Sequence, residues 1–500
     1  MARTIQHLIM AVSALGACCA QAANLKDKSK TVAFVRTAVV PMDREHVLAD
    51  QTVVVTDGKI TALGPASKVK VPQGAVRIDG WGRYLLPALS DMHVHVEGES
   101  WNALLSPETK ATSKNLPFED LLFPYVANGV TTVQVLSGTH ELLPVRGRIA
   151  EGEMLAPRLI LARMIDAPDK AWPPPLSSWV STAEEARNAT LKAKADGYDK
   201  MKVYSFLSKE TYDAVIATAK EQRMDVIGHV PYALSVEYVV DAGQKMIAHT
   251  EEVAKHAHGD YSKERVSYFA GRIADGGVWL TPTLVTTRRI LDEFSDPDGL
   301  FASPEAAYSG HPVQRDIWSF ISKMYQGIPA ESRTRIRDDF EKFQRPFTKV
   351  FHDKGGQLMT GTDALLPRLV PGFALHQELH ELVGVGLTPY EALRTSTTVP
   401  YEYLGEAKEA GTIEVGKRTD LILVDANPLE NIAAASRIAG VMMRGRWIGK
   451  AEIDRRMRKI SGAAAASNGQ AGAAKAGGTV APHAHPHPHA KHDCPHSTHC

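Results

Sequence analysis

The chain has almost no cysteine where cysteine would matter. Its four cysteines are Cys18, Cys19, Cys494 and Cys500, so the long body between Cys19 and Cys494 contains none. That excludes a disulfide-stapled scaffold and a thiolate nucleophile in the body. Excess charge of one sign is also missing: Lys+Arg and Asp+Glu both number 57 over 500 residues. No polybasic face is advertised, so composition gives no support to a nucleic-acid or anionic-membrane partner. No apolar run after the first residues reaches the length of a membrane helix. Neither G-x-S-x-G nor G-x-G-x-x-G occurs, which leaves serine-hydrolase and dinucleotide readings without a motif. With 44% hydrophobic residues, 23% charged residues and a mean hydropathy of −0.19, the remaining material suits a globular chain with a sizeable core.

The two ends read differently from the body. Arg3, the apolar stretch Leu8–Ala17 and the small residues after it form a secretory signal, and Ala20-Gln21-Ala22 offers a cleavage site giving 1–22 as leader. Leu15-Gly16-Ala17-Cys18 resembles a lipobox, so a leader ending at Ala17 with Cys18 lipidated is the alternative. The expected location is therefore periplasmic or secreted, or else lipid-anchored. From 461 the sequence turns Ala/Gly-rich, and seven of the 20 histidines then crowd the end: His483, His485, His487, His489, His492, His496 and His499. This reads as a flexible linker, 461–500, carrying a tail that binds Zn, Ni or Cu loosely.

Between the ends, short β-rich runs alternate with helical patterns. The candidate strands are 85–94, 130–136, 158–164, 199–204, 225–230, 245–250, 278–285 and 357–363. Ser181 and Glu184 have capping-box spacing before the helix that Gly197 closes. Eight alternations predict an α/β fold, a (β/α)8 TIM-like barrel over 85–405, with the doubly wound sheet as competitor. A helical insertion, 286–350, is placed to cover the barrel mouth. The β-rich flanks 23–84 and 406–460 are expected to form one small β-sandwich from both chain ends.

Barrel chemistry sits at the C-terminal ends of the strands. There the sequence puts His93, His95, Lys202, His229, His249 and Asp363, and period-two alternation sets His93 and His95 on one face. One strand-end His or Asp is usually a hydrogen-bonded structural residue. Six at the ends of the first, fourth, fifth, sixth and eighth strands make a nitrogen and oxygen site for one or two divalent ions, with zinc the first candidate. A protonated lysine repels a metal, so Lys202 contributes only if its amine is carboxylated. Lys200 shares its face but lies deeper.

The six residues stand in LLPALSDMHVHV, GYDKMKV, VIGHV, MIAHTEE and MTGTDA, and GVTTVQVL and GTIEVGKRTDLILVDANPL accompany them. Across roughly 30–450 the chain resembles the metal-dependent amidohydrolase superfamily. It is most similar to the branch with imidazolonepropionase-like proteins and carboxylated-lysine, prolidase-like Xaa-Pro dipeptidases. The resemblance implies one ion on His93, His95 and Asp363 and a second on His229 and His249. Carboxylated Lys202 would bridge them, and Asp363 would also move the catalytic proton. Lys200-Met201 and Gln134-Val135-Leu136-Ser137 depart from the family pattern. His140, Arg146 and Tyr232 are candidates for gripping a substrate carboxylate, against equal readings as a helix-face charge or loop aromatic.

The expected activity is hydrolysis of an amide in a dipeptide or N-acyl amino acid. A lactonase or esterase on the same site is the alternative, and a metal-sequestering protein acting through its tail is the competing class. The partners implied are a small-molecule substrate and, for an oligomer, further copies of the chain. Gly411–Lys417 has phosphate-loop spacing but leads into a strand, and His376/Glu378/His380 lacks the zinc-protease offset.

Overall fold

The computed structural model describes residues 31–96, 98–112, 116–168 and 172–475. The proposed leader and the seven tail histidines lie outside the described residues. The chain opens with β1 (Val32–Val39), β2 (Leu48–Thr56), β3 (Lys59–Pro65), β4 (Val76–Asp79) and β5 (Tyr84–Pro87). β6 (Leu89–Val94), β7 (Val130–Val135), β8 (Arg158–Asp166), the short β9 (Ser178–Trp179), β10 (Lys200–Val203), β11 (Asp225–Gly228), β12 (Met246–Ala248) and β13 (Trp279–Thr281) follow. β14 (Leu421–Val424), β15 (Ile438–Met443) and β16 (Arg446–Gly449) come last.

The expected first barrel strand, 85–94, is in fact two strands in two sheets. Its first half, β5, pairs antiparallel with β14 of the small domain, while β6 pairs parallel with β7 of the barrel. Pro87 stands at the break, where a missing N–H ends a ladder at no further loss.

Strands of both chain ends share one sheet in the order β16-β15-β14-β5-β1-β2-β3, with β4 on β1. That sheet bends over its own core: Phe34 of β1 meets Trp447 of the far edge strand with ring centroids 5.2 Å apart. Val53, Val55, Leu85, Leu421, Leu423 and Met442 fill the space between.

The second sheet runs β6-β7-β8-β10-β11-β12-β13, all parallel. The expected eighth strand, 357–363, is irregular, yet it closes the barrel. Leu280 N–H donates to Gln357 O, Met359 N–H to Leu280 O, and Met92 N–H to Thr360 O. Thr362 and Asp363 N–H both donate to His93 O, and His95 N–H donates to Ala364 O, so the closing segment runs parallel beside β6 with a bulge at 362–363. Met92, Leu136, Ile160, Ala162, Ile227, Met246, Ala248 and Met359 pack the interior.

The region 286–350 is helical, with helices Leu284–Ser295, Pro312–Gln326, Ala330–Asp338 and Arg345–Asp353 among its elements. Val313, Ile317 and Ile321 of the second of these pack with Met164 and Leu365 at the strand C-termini, so it covers the barrel mouth.

Two local expectations are corrected. The capping box belongs to Thr182 and Glu185, one residue later than the expected pair, because Thr182 has the extended backbone of a cap. The stretch from 461, expected as a linker, is helical as far as 475: the last helix runs Lys450–Lys475, since alanine is the best helix former and carries the helix on.

Candidate metal centre

Strand geometry brings the six expected residues to one end of the barrel. His93 is in β6 and His95 one residue past it; Lys202 is in β10; His229 and His249 directly follow β11 and β12. The turn closing the barrel swings Asp363 in. Its Oδ1 lies 3.1 Å from His93 Nε2 and 2.9 Å from His95 Nε2. The His249 ring is 4.5 Å from that of His93 and 5.2 Å from that of His229, centroid to centroid. Lys202 is buried beside them, its Nζ 5.1 Å from the Tyr204 ring, which itself lies 4.1 Å from the His229 ring.

The donor set fits a cation. His93 Nδ1 and Nε2, His229 Nε2 and Asp363 Oδ1 are buried without a hydrogen-bond partner. His93 Nε2 and Asp363 Oδ1 approach closely but without hydrogen-bonding geometry, as two lone pairs aimed at a common point would. One ligand atom from each of His93, His95 and Asp363 lies within 4.8 Å of the others. Donors sharing one zinc at about 2.1 Å would be roughly 3–3.5 Å apart, so only a small contraction is needed. Burial pushes His93 down to about 3 and His229 down to about 4, and drives His249 well below its ordinary range. These imidazoles are therefore neutral ligands at pH 7. Burial also pushes Lys202 down to about 8, against the pull of Asp363, Glu252 and Asp166. An amine must lose its proton before it can take up CO2.

A surrounding set of residues, not singled out from the sequence, holds these groups. Ser137 Oγ lies 2.5 Å from His95 Nδ1, and Thr283 Oγ1 lies 2.7 Å from His249 Nδ1. His229 Nδ1 meets both Ser205 Oγ and Glu252 Oε1 at 3.0 Å. Buried Asp91 accepts from His93 N–H at 3.3 Å, Thr362 N–H at 3.1 Å and the Thr362 hydroxyl at 2.7 Å, pinning the closing turn to β6. The only sequence signal for this set is position: each residue follows, or lies in, a barrel strand within a few residues of its end.

The candidate substrate residues separate. Arg146 is not at the mouth. Its guanidinium donates to Asp199 at 2.7 Å and Gly197 O at 2.8 Å, just before β10 and thus at the opposite end of the barrel. His140 is largely exposed, 3.2 Å from the Glu141 carboxylate. Tyr232 lies on the mouth side, half exposed, its ring 5.5 Å from that of Phe206 and 5.3 Å from Lys255 Nζ. Nearer the metal cluster stand aromatic residues that spacing did not reveal. Trp101 is 6.4 Å from His95 and 6.3 Å from Trp172, ring to ring, and Trp172 Nε1 donates to Tyr204 OH at 3.2 Å.

The other sequence motifs have structural roles. His376 bonds Asn128 O, and Glu378 accepts from Leu284 and Val285 N–H at the start of a helix. Gly411–Lys417 is a small-domain turn in which Gly416 N–H donates to Ile60 O.

The model of the Amidohydrolase family matches residues 84–448. Among solved structures, the fold is similar to that of a bottromycin amidohydrolase: TM-score 0.68 and 20% identity, covering 88% of this chain and 92% of that one. It is also similar to an Xaa-Pro dipeptidase with methionine bound in its active site: TM-score 0.64 and 19% identity, covering 84% of this chain and all of that one. Among curated proteins, Adenine deaminase 2 of Shouchella clausii (strain KSM-K16) is 28% identical over 95 residues, 19% of this chain. The match spans only 14% of that relative's length. The chain, with its barrel, joined-end β domain and His-His-Asp cluster, belongs to the amidohydrolase family.

Proposed function

We propose that the protein is an exported binuclear hydrolase that cleaves the amide bond of a dipeptide or an N-acyl amino acid. The observation that carries this reading is the convergence of buried, unpartnered donors from His93, His229 and Asp363 on one space. His93, His95 and Asp363 would hold one ion and His229 and His249 the other, and Lys202, once carboxylated, would add an anionic oxygen ligand. Zinc is the ion that neutral imidazoles and one carboxylate suit best. When bound, the ions lower the pKa of water and polarise the scissile carbonyl. Asp363 Oδ2 takes the proton released as water adds to the carbonyl carbon and delivers it to the nitrogen as the C–N bond breaks. Trp101, Trp172 and Tyr204 keep bulk water from the reacting atoms. The leader 1–22 takes the chain across a membrane, and the tail histidines, His483 to His499, collect metal outside the fold.

The test is metal content by elemental mass spectrometry on a chain ending after Lys475, which removes the seven tail histidines. Two zinc ions per chain, followed by turnover of dipeptides or N-acyl amino acids, is the expected result. Turnover of lactones alone would replace the amide reading. Less than one ion per chain after reloading would remove the binuclear reading. Lys202→Ala is expected to lose both ions and activity, and unchanged turnover would eliminate the carboxylated lysine.

A further inference from the structure

Three of the four clustered imidazoles are oriented through Nδ1, but not by equal partners. His95 and His249 are held by the neutral hydroxyls of Ser137 and Thr283, groups that can either donate or accept. His229 alone of the four faces a carboxylate at this atom, Glu252 Oε1 at 3.0 Å. An ionised carboxylate only accepts, so it fixes the proton on Nδ1 and leaves the Nε2 lone pair, buried and unpartnered, toward the centre.

Glu252 is itself held from two further sides. Its Oε2 accepts from Val230 N–H at 3.2 Å, and its Oε1 lies 2.5 Å from Lys255 Nζ. The side chain is fully enclosed, and the ammonium of Lys255 also reaches Glu251 at 3.5 Å. Enclosing the Glu252 carboxylate beside the partly exposed Lys255 ammonium is costly when the only return is local stability. A carboxylate behind a ligating imidazole both orients the ring and makes it a better donor.

We propose that Glu252 is the positioning residue of the second ion, acting through His229 so that its loss loosens that ion and spares the one on His93, His95 and Asp363. The inference rests on the binuclear reading above. Helix Thr250–Lys255 begins directly after His249, so one short segment supplies a ligand of this ion and the group that orients its other ligand.

The test compares full-length wild type with Glu252→Gln, which keeps the shape and an acceptor for Val230 N–H. Zinc retained after dialysis against a graded series of chelator concentrations is read by elemental mass spectrometry. The tail is identical in both chains, so the difference reports the barrel. The variant is expected to lose one ion per chain at a chelator concentration about 10- to 100-fold lower than wild type. The other ion should release as in wild type, and the melting temperature should stay within a few degrees. Ser205→Ala, which removes the neutral partner of the same ring nitrogen, should shift release less than Glu252→Gln. Equal retention in wild type and Glu252→Gln overturns the inference alone, as does simultaneous loss of both ions or a larger effect from Ser205→Ala. A wild type holding no more zinc than a His93→Ala, His95→Ala double variant overturns the binuclear reading and this inference with it.

Discussion

At residue 228 the backbone sits at φ +122°, and an added Cβ would lie 2.2 Å from Val203 O and 2.9 Å from Lys202 Cγ. Glycine there lets β11 press against the strand that carries Lys202. Gly228→Ala is expected to cost about 3 kcal/mol of stability and to displace Lys202, lowering metal content; calorimetry with metal analysis checks both. Arg146→Ala should leave KM unchanged, because its guanidinium serves Asp199 and Gly197 at the far end of the barrel. Its partly exposed ion pair limits the stability loss to about 1 kcal/mol. A large rise in KM would put Arg146 back at the substrate. The six clustered residues were legible because strand alternation and strand ends are written in one dimension. Arg146 stands between two readings in sequence because a helix after the second strand can turn its side chain toward either end of the barrel, and its bonds to Asp199 and Gly197 favour the helix-face one. Glu252, Asp91 and Ser205 were not legible, since each acquires its role from a partner on another segment.

Among the elements, the one helix start marked by capping-box spacing was legible to within one residue. Thr182→Ala should cost about 1 kcal/mol and Ser181→Ala much less, measured by chemical denaturation, because only Thr182 caps the helix Ala183–Asp196. Glu378 gives a pH test far from the ligands in sequence. Burial pushes its carboxyl from an ordinary 4.5 up to about 8, although the Val285 and Leu284 N–H groups pull the other way. The folded state then keeps a proton that the unfolded chain releases. This group's contribution to stability should therefore fall as pH rises from about 4.5 toward 8. Glu378→Gln removes that slope. The wild-type melting temperature should drop relative to the variant by several degrees between pH 5 and pH 8.5, and a constant difference would refute it. The closing segment 357–363 reads in sequence as a regular strand because it takes the eighth place in the alternation of β-rich and helical runs. Hydrogen bonds of Thr362 and Asp363 to His93 O bend it out of that pattern.

For the whole molecule, the two chain ends are joined by β5 pairing with β14, and the last helix fastens that joined domain to the barrel. Ile453, Met457 and Ile460 of this helix are buried in the large core, while Arg456 reaches Glu119 and Lys459 reaches Asp120 on a barrel helix. Cutting the chain before Lys450 removes three buried apolar side chains and should cost roughly 5 kcal/mol. Cutting after Lys475 should leave the melting temperature unchanged. The barrel and joined-end domain were legible from the alternation of periods. The split at Pro87 was not, because an unbroken apolar run looks the same whether it serves one sheet or two.

Three residues around the cluster, His249 at φ 68°, Thr283 at φ 50° and Asp363 at φ 56°, hold a left-handed backbone that glycine would adopt with less strain. Each has instead a side chain that the cluster uses: an imidazole, the hydroxyl behind it and a carboxylate. A laboratory selection for heat resistance alone would be drawn to glycine at all three, and every such gain would be taken from the site. Thermal robustness and chemistry pull against one another at these positions, so a sturdier enzyme of this architecture has to be sought in its caps, its last helix and its joined sheet.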